Sequence, residues 1–180
     1  MNTTGAFIYL IGTLIDLYIT AVMLRLLLQW VRADFYNPVC QFLVVITNPL
    51  LIPLRRVVPS IGRLDTASVV LMIVLELLGV SLVTWLLGRQ MPFEAMVLFS
   101  VVKLLLTLLW TYFFLIIALV LISWIGQRAR HPIIPLIYQL TDPVLAPIRR
   151  FVPVLGGFDL SPLIALIAIR FLIVLLPTSF

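Results

Sequence analysis

Long apolar runs separated by shorter polar stretches set the pattern of this chain. Four runs, at about Ala6 to Val31, Thr66 to Leu87, Glu94 to Ile125 and Leu160 to Leu176, are read as membrane-spanning helices. A hydrocarbon core of about 30 Å needs roughly 20 helical residues. The last run is short and the third overlong, so their ends are soft. The first run is too long, and too poor in preceding basic residues, to read as a cleaved signal peptide.

The pattern repeats itself. Thr47-Asn-Pro-Leu-Leu-Ile-Pro-Leu-Arg-Arg-Val-Val-Pro returns as Thr141-Asp-Pro-Val-Leu-Ala-Pro-Ile-Arg-Arg-Phe-Val-Pro, an offset of 94 without a gap. The same offset pairs Tyr18 with Tyr112, Trp30 with Trp124, Pro38 with Pro132, Gly62 with Gly156 and Asp65 with Asp159. Such self-similarity marks a tandem duplication. We expect one membrane domain over residues 1–180, with a first copy at about residues 5–87 and a second at about 94–177. The predicted fold class is an all-α integral membrane protein, four transmembrane helices in two tandem parallel repeats, each with an interfacial or re-entrant Pro/Arg-rich helical loop between its spans.

Those loops carry their own punctuation. Asn37-Pro38 opens an apolar run of about ten residues, with Asn as N-cap and Pro at the first helical position. Asn48-Pro49 and Asp142-Pro143 repeat the signal, and Pro53 and Pro147 follow four residues later, which argues against a long continuous helix. The expectation is a short helix, a kink, a further helical turn bearing the arginine pair, and a turn at Gly62 or at Gly156-Gly157. An apolar element beside arginines lies in the interface with its guanidinium groups among lipid phosphates. A re-entrant loop between the spans is the alternative.

Composition agrees with the pattern: 63% hydrophobic residues, 11% charged and a mean hydropathy of +1.25 leave too little polar surface to cover a water-soluble globule. Charge then orients the chain. Arg32, Arg55, Arg56 and Arg63 fall between the first two spans and Arg128, Arg130, Arg149 and Arg150 between the last two, together eight of the 12 basic residues. By the positive-inside rule both loops are cytoplasmic and both termini lie on the opposite face. Cys40 and His131 stand alone, which excludes an intramolecular disulfide, a CxxC pair and a His-rich metal site; they read as an apolar filler and a loop residue.

Ionisable residues at mid-span are the main candidate chemistry. Counting along the helices puts Asp16, Glu76 and Arg170 near mid-bilayer, where a charge costs about 2.5 to 3.5 kcal/mol on insertion scales. Glu76 and Arg170 are repeat equivalents, so an ion pair between them is expected, with Asp16 nearby; the alternative is that Arg170 snorkels outward and meets no acid. Lys103 and Arg89 are placed toward the outer end and Arg25 toward the inner end, as snorkelling side chains. Trp30, Trp124, Tyr36 and Trp85 fit interfacial anchoring.

The Pro-Arg boxes, each followed by Gly and by Asp65 or Asp159 at the head of an apolar helix, resemble the YggT family, also called YlmG. The duplicated form with Asp34-Phe35-Tyr36-Asn37-Pro38 after Gln29-Trp30 is similar to proteobacterial members, and the resemblance covers essentially the whole chain. It implies a bacterial inner-membrane protein. It also implies links to osmotic-stress tolerance and potassium uptake, with single-copy relatives near cell-division genes and plastid relatives tied to nucleoid organisation and cytochrome assembly.

Enzyme signatures are missing: no GxSxG, HExxH, Walker loop or Gly-rich dinucleotide turn, and no histidine beside Ser123 or Ser161. No catalytic, metal or cofactor site is therefore predicted. Two readings remain. In the first, Pro49, Pro53, Arg55, Arg56, Pro59, Pro143, Pro147, Arg149, Arg150 and Pro153 form a contact motif for anionic phospholipid headgroups or for a cytoplasmic or membrane protein partner, and the protein organises the membrane. In the second, the charge cluster of Asp16, Glu76 and Arg170 serves a small, homo-oligomeric potassium transporter or channel-like protein. Two short basic clusters make too few phosphate contacts to argue for nucleic acid.

Overall fold

The computed structural model describes residues 3–62, 64–125, 131–152 and 159–176. Among them the chain forms six helices: α1 Thr3–Trp30, α2 Pro38–Arg55, α3 Thr66–Leu86, α4 Phe93–Ile125, α5 Ile133–Phe151 and α6 Ser161–Leu175. Four are long and apolar enough to cross a membrane: α1, α2, α3 and α4. Helix α6 is apolar but has 15 residues, about 22 Å at the helical rise, so it is the shortest of the expected spans. The protein is an all-helical, multi-pass membrane protein.

The loop helices correct one expectation. Helix α2 does not break at Asn48-Pro49 but runs 18 residues with Pro49 and Pro53 inside it, and α5 carries Pro143 and Pro147 in the same way. The reason is registry. Residues four apart share a helix face, and all four prolines lie on exposed faces. Pro49 leaves the carbonyl of Val45 without its donor, and Val45 is itself 68% exposed. The missing hydrogen bonds thus fall on one side, while the ladder of the buried side continues. The start of α2 is as expected, with the Val39 amide donating to Asn37 Oδ1 at 2.9 Å.

Two helix ends, those of α1 and α3, are closed by left-handed residues. Beyond α3, Gly88 has φ 66°, and the amides of Gly88 and Arg89 donate to the carbonyls of Trp85 and Thr84. Beyond α1, Arg32 takes the same role with φ 56°, and the amides of Arg32 and Ala33 donate to Gln29 and Leu28. Both are paired C-cap arrangements that glycine suits best.

The described chain divides into two compact units. The first comprises residues 1–26 and 42–105, the second 27–41 and 106–180. The first unit therefore holds most of α1, the later part of α2, all of α3 and the start of α4. Within it Gly79 of α3 faces Ile15 of α1, where an added Cβ would stand 3.4 Å from Ile15 Cγ2. The second unit packs Ile116 and Leu119 of α4, Ile137 and Leu145 of α5, and Ala165, Ile169 and Ile173 of α6 into one buried apolar cluster. Trp30, Trp85 and Trp124, near the ends of α1, α3 and α4, are 59%, 74% and 73% exposed. Cys40 is buried and His131 is exposed.

Candidate functional site

Each Pro-Arg box ends in a clamp. The last turn of α2 presents Arg55, whose Nη2 pairs with Oδ2 of Asp65 at the head of α3. The same Oδ2 accepts from Ser68 Oγ at 2.6 Å. In the second copy Arg149 Nε donates to Asp159 Oδ2 at 2.8 Å, and Asp159 Oδ1 accepts from the Ser161 amide at 2.9 Å. Adding the offset to Arg55 and Asp65 yields Arg149 and Asp159, so one interaction is built twice. Between α2 and α3 the chain turns at Gly62, with φ 60°, and Ile61 and Leu64 exchange backbone hydrogen bonds across the turn. Thr66 Oγ1 then donates to the carbonyl of Pro59, tying the box's last proline to the start of α3.

Environment separates the two clamps. The Asp65 side chain is 3% exposed, that of Asp159 36%. Burial alone would raise the Asp65 carboxyl, but hydrogen bonds from Arg55 and Ser68 and the Arg55 charge outweigh it and hold the group below the usual carboxylate range. Burial acts in the same upward direction on Asp159, and hydrogen bonds from Ser161 and Arg149 again reverse it. The second clamp recruits a further acid, Asp142, whose Oδ1 lies 3.2 Å from Arg149 Nη1. Its counterpart Asn48 has another partner: Arg25 of α1 donates from Nη1 to Asn48 Oδ1 at 2.9 Å and to Thr47 Oγ1 at 2.6 Å. Arg25 is 5% exposed, so it is a buried tie between α1 and α2 and not the snorkelling side chain expected.

Arg55 and Arg149, with side chains 37% and 41% exposed, are engaged by the aspartates, and the next residues carry no such clamp among the described residues. Arg56 and Arg150 are exposed, and beside them Val57 and Phe151 are 79% and 87% exposed. These are again equivalent positions. Of the remaining motif residues, Pro49, Pro53, Pro143 and Pro147 lie within α2 and α5, and Pro153 lies outside the described residues, as do Arg63, Arg128, Arg130, Gly156 and Gly157.

The mid-span charges assemble differently from the expectation. Glu76 takes Lys103 of α4 as its partner in place of Arg170: Lys103 Nζ lies 2.7 Å from Glu76 Oε1 and 2.7 Å from Asp16 Oδ1. Lys103 is therefore the shared cation of Asp16 and Glu76, not a snorkelling side chain. Arg170 instead stacks over Trp110, 5.4 Å from the ring centroid. Trp110 is the repeat equivalent of Asp16, so both units bring the same two positions together, as acid and acid around a lysine in one and as aromatic and arginine in the other. Trp110 also stacks with Phe114 and meets Phe113 edge-on, at 5.6 and 5.4 Å.

Sequence reasoning missed Asp65 and Asp159 as the partners of the boxes, and Lys103 as the centre of the charge cluster. The clamp had a signal: an acid ten residues after the first arginine of each pair, preserved across the offset. Lys103 had none, because its repeat counterpart is Tyr9 and depth counting alone cannot bring helices together. Among the described residues no three or more His, Cys, Asp or Glu side chains gather as a metal site would require.

A family model described as CCB3/YggT matches the chain twice, over residues 4–86 and 98–180. An uncharacterized protein of Pseudomonas aeruginosa is 40% identical over 172 residues, covering 94% of this chain and 86% of that protein. An uncharacterized protein of Vibrio alginolyticus, from the region 3′ of proC, is 44% identical over 168 residues, covering 91% and 89%. The uncharacterized protein YggT of Escherichia coli K12 is 38% identical over 176 residues, covering 91% and 84%. No solved structure matches. The two matched stretches each contain one Pro-Arg box with its clamp, and on that footing the chain belongs to the CCB3/YggT family.

Proposed function

We propose that this protein is a non-catalytic organiser of the inner face of a bacterial inner membrane, acting through its two Pro-Arg elements on anionic phospholipid headgroups. One observation carries the reading: a clamp built twice that ties one arginine of each pair to an aspartate and leaves its neighbour exposed beside an exposed apolar residue. A charge tag for topology would need no such shape. An arginine followed by Val57 or Phe151 suits the boundary between acyl chains and phosphates, where the apolar side chain is buried and the guanidinium meets a phosphate oxygen. In this reading the Arg-rich loops are cytoplasmic and both termini lie on the other face. Association with osmotic tolerance and potassium uptake, implied by the resemblance, would then follow from ordering lipids or membrane partners.

The test is lipid retention by purified protein. Native mass spectrometry should find phosphatidylglycerol kept in preference to phosphatidylcholine, with that preference reduced several-fold in Arg56→Gln, Arg150→Gln double-substituted protein that melts at the wild-type temperature. An unchanged preference would refute the reading.

A second reading is favoured by the Asp16–Lys103–Glu76 cluster, which suits a small oligomeric potassium transporter or channel-like protein. Potassium flux into proteoliposomes that falls in Asp16→Asn protein would support it, and no flux above empty liposomes would remove it.

A further inference from the structure

The carboxyl of Glu76 has a chemistry that neither reading uses. Around Lys103 Nζ the first unit gathers Asp16 Oδ1 and Glu76 Oε1, each at 2.7 Å, so two carboxylates face one ammonium. The charged groups bearing on Glu76 are Lys103 from α4 and Asp16 from α1, and α3 carries no other ionisable side chain along its length. With all three ionised, the cluster would hold one negative charge in excess inside an apolar span. Such a charge is costly where water is scarce, and carboxyls that share a site relieve it by holding a proton between them.

Hydrogen bonding decides which carboxyl takes that proton. Lys103 Nζ donates to Asp16 Oδ1 at 2.7 Å, while the Glu76 side chain is 1% exposed among the packed helices. Both oxygens of that carboxyl are buried without a well-formed hydrogen bond among the described residues, although Lys103 Nζ stands 2.7 Å from Oε1. A bare anionic oxygen in an apolar setting is less stable than a neutral hydroxyl in the same place.

We propose that Glu76 is a proton-binding site within the span: at neutral pH its buried carboxyl carries a proton taken from solvent, and Lys103 Nζ is left to its hydrogen bond with Asp16. An O–H bond of a hydronium ion breaks as the O–H bond forms on Glu76, water is released, and the excess negative charge of the cluster is removed. The inference is independent of whether the protein organises lipids or conducts a cation.

Infrared spectroscopy of the full chain in lipid at neutral pH tests it. The expected result is the carbonyl stretch of a protonated carboxylic acid, displaced in heavy water as an exchangeable O–H requires. Glu76 and Glu94 are the two glutamates of the chain, and Glu94 is exposed at the start of α4. Isotopic labelling of glutamate carboxyls in the unmodified protein should therefore displace the band. Labelling of aspartate carboxyls should not, and Glu94→Gln should leave the band in place. Absence of the band would overturn the proposal, since a bound monovalent cation would keep both carboxyls ionised. So would a band that follows the aspartate label, which would put the proton on Asp16, or one that disappears in Glu94→Gln protein.

Discussion

The second residue of a duplicated pair is the most informative comparison at residue scale. Asp65 and Asp159 perform the same task, but only Asp65 is sealed from water. Asp65→Asn leaves Arg55 without its counter-charge beside a buried site and should cost about 1–3 kcal/mol. Asp159→Asn should cost about 1 kcal/mol or less, as expected of a pair that solvent screens. Thermal unfolding of the two variants in the same detergent checks the order. The pH dependence follows from the sign of the shift. Because the folded Asp65 carboxyl is held below its ordinary value of about 3.9, its contribution is fully present above that value and is lost as pH falls through the lower folded value. The gap in melting temperature between wild type and Asp65→Asn should therefore persist unchanged across neutral pH and close only in acid. Arg32 offers the opposite experiment. It occupies a left-handed position that glycine adopts freely, and the second copy has Gly126 in the equivalent place. Arg32→Gly should raise stability by roughly 0.5–1 kcal/mol, read as a higher melting temperature.

At the scale of elements, the prolines of α2 and α5 show how a rule about backbone can be correct and still mislead. Proline removes a donor and crowds the preceding turn, but spacing of four confines both effects to one helix face. Pro49→Ala should accordingly leave the helix content of the protein unchanged and should not lower its melting temperature, as far-ultraviolet circular dichroism would report. The approach of α1 and α3 at Ile15 and Gly79 is tighter. An added Cβ fits at ordinary contact distance, so Gly79→Ala should be tolerated, whereas Gly79→Leu should cost about 1–3 kcal/mol through overpacking. Accumulation of the two variants in membranes separates these outcomes.

Across the whole molecule, duplication and divergence divide the work. The clamps were kept in both copies, while the mid-span positions were not: Asp16 and Glu76 of one copy answer to Trp110 and Arg170 of the other. Lys103→Met removes the cation that Asp16 and Glu76 both face at 2.7 Å and should reduce accumulation more than Arg170→Met, which loses one cation–π contact worth about 1 kcal/mol. Exchange of the side chains of Glu76 and Lys103 should restore accumulation better than exchange of those of Glu76 and Arg170. Quantitative immunoblotting of membranes carrying each variant would decide it.

How much was legible beforehand depended on the range of the interaction involved. Hydropathy, repeat offset and N-cap chemistry are written in residues near one another, so the sequence by itself determined membrane insertion, helical class, duplication and the start of α2 at Asn37-Pro38. The repeated Asp65 and Asp159 were visible as landmarks, but their role required α2 and α3 to fold back until Arg55 reached across ten residues. Choice among distant partners belonged to the tertiary structure alone. Depth along a span ranks Glu76 and Arg170 as equals, but side chains pair with what their helix faces meet, and packing of α1, α3 and α4 set Lys103 against Asp16 and Glu76. Linear sequence carries depth and period. Facing is decided only when helices pack.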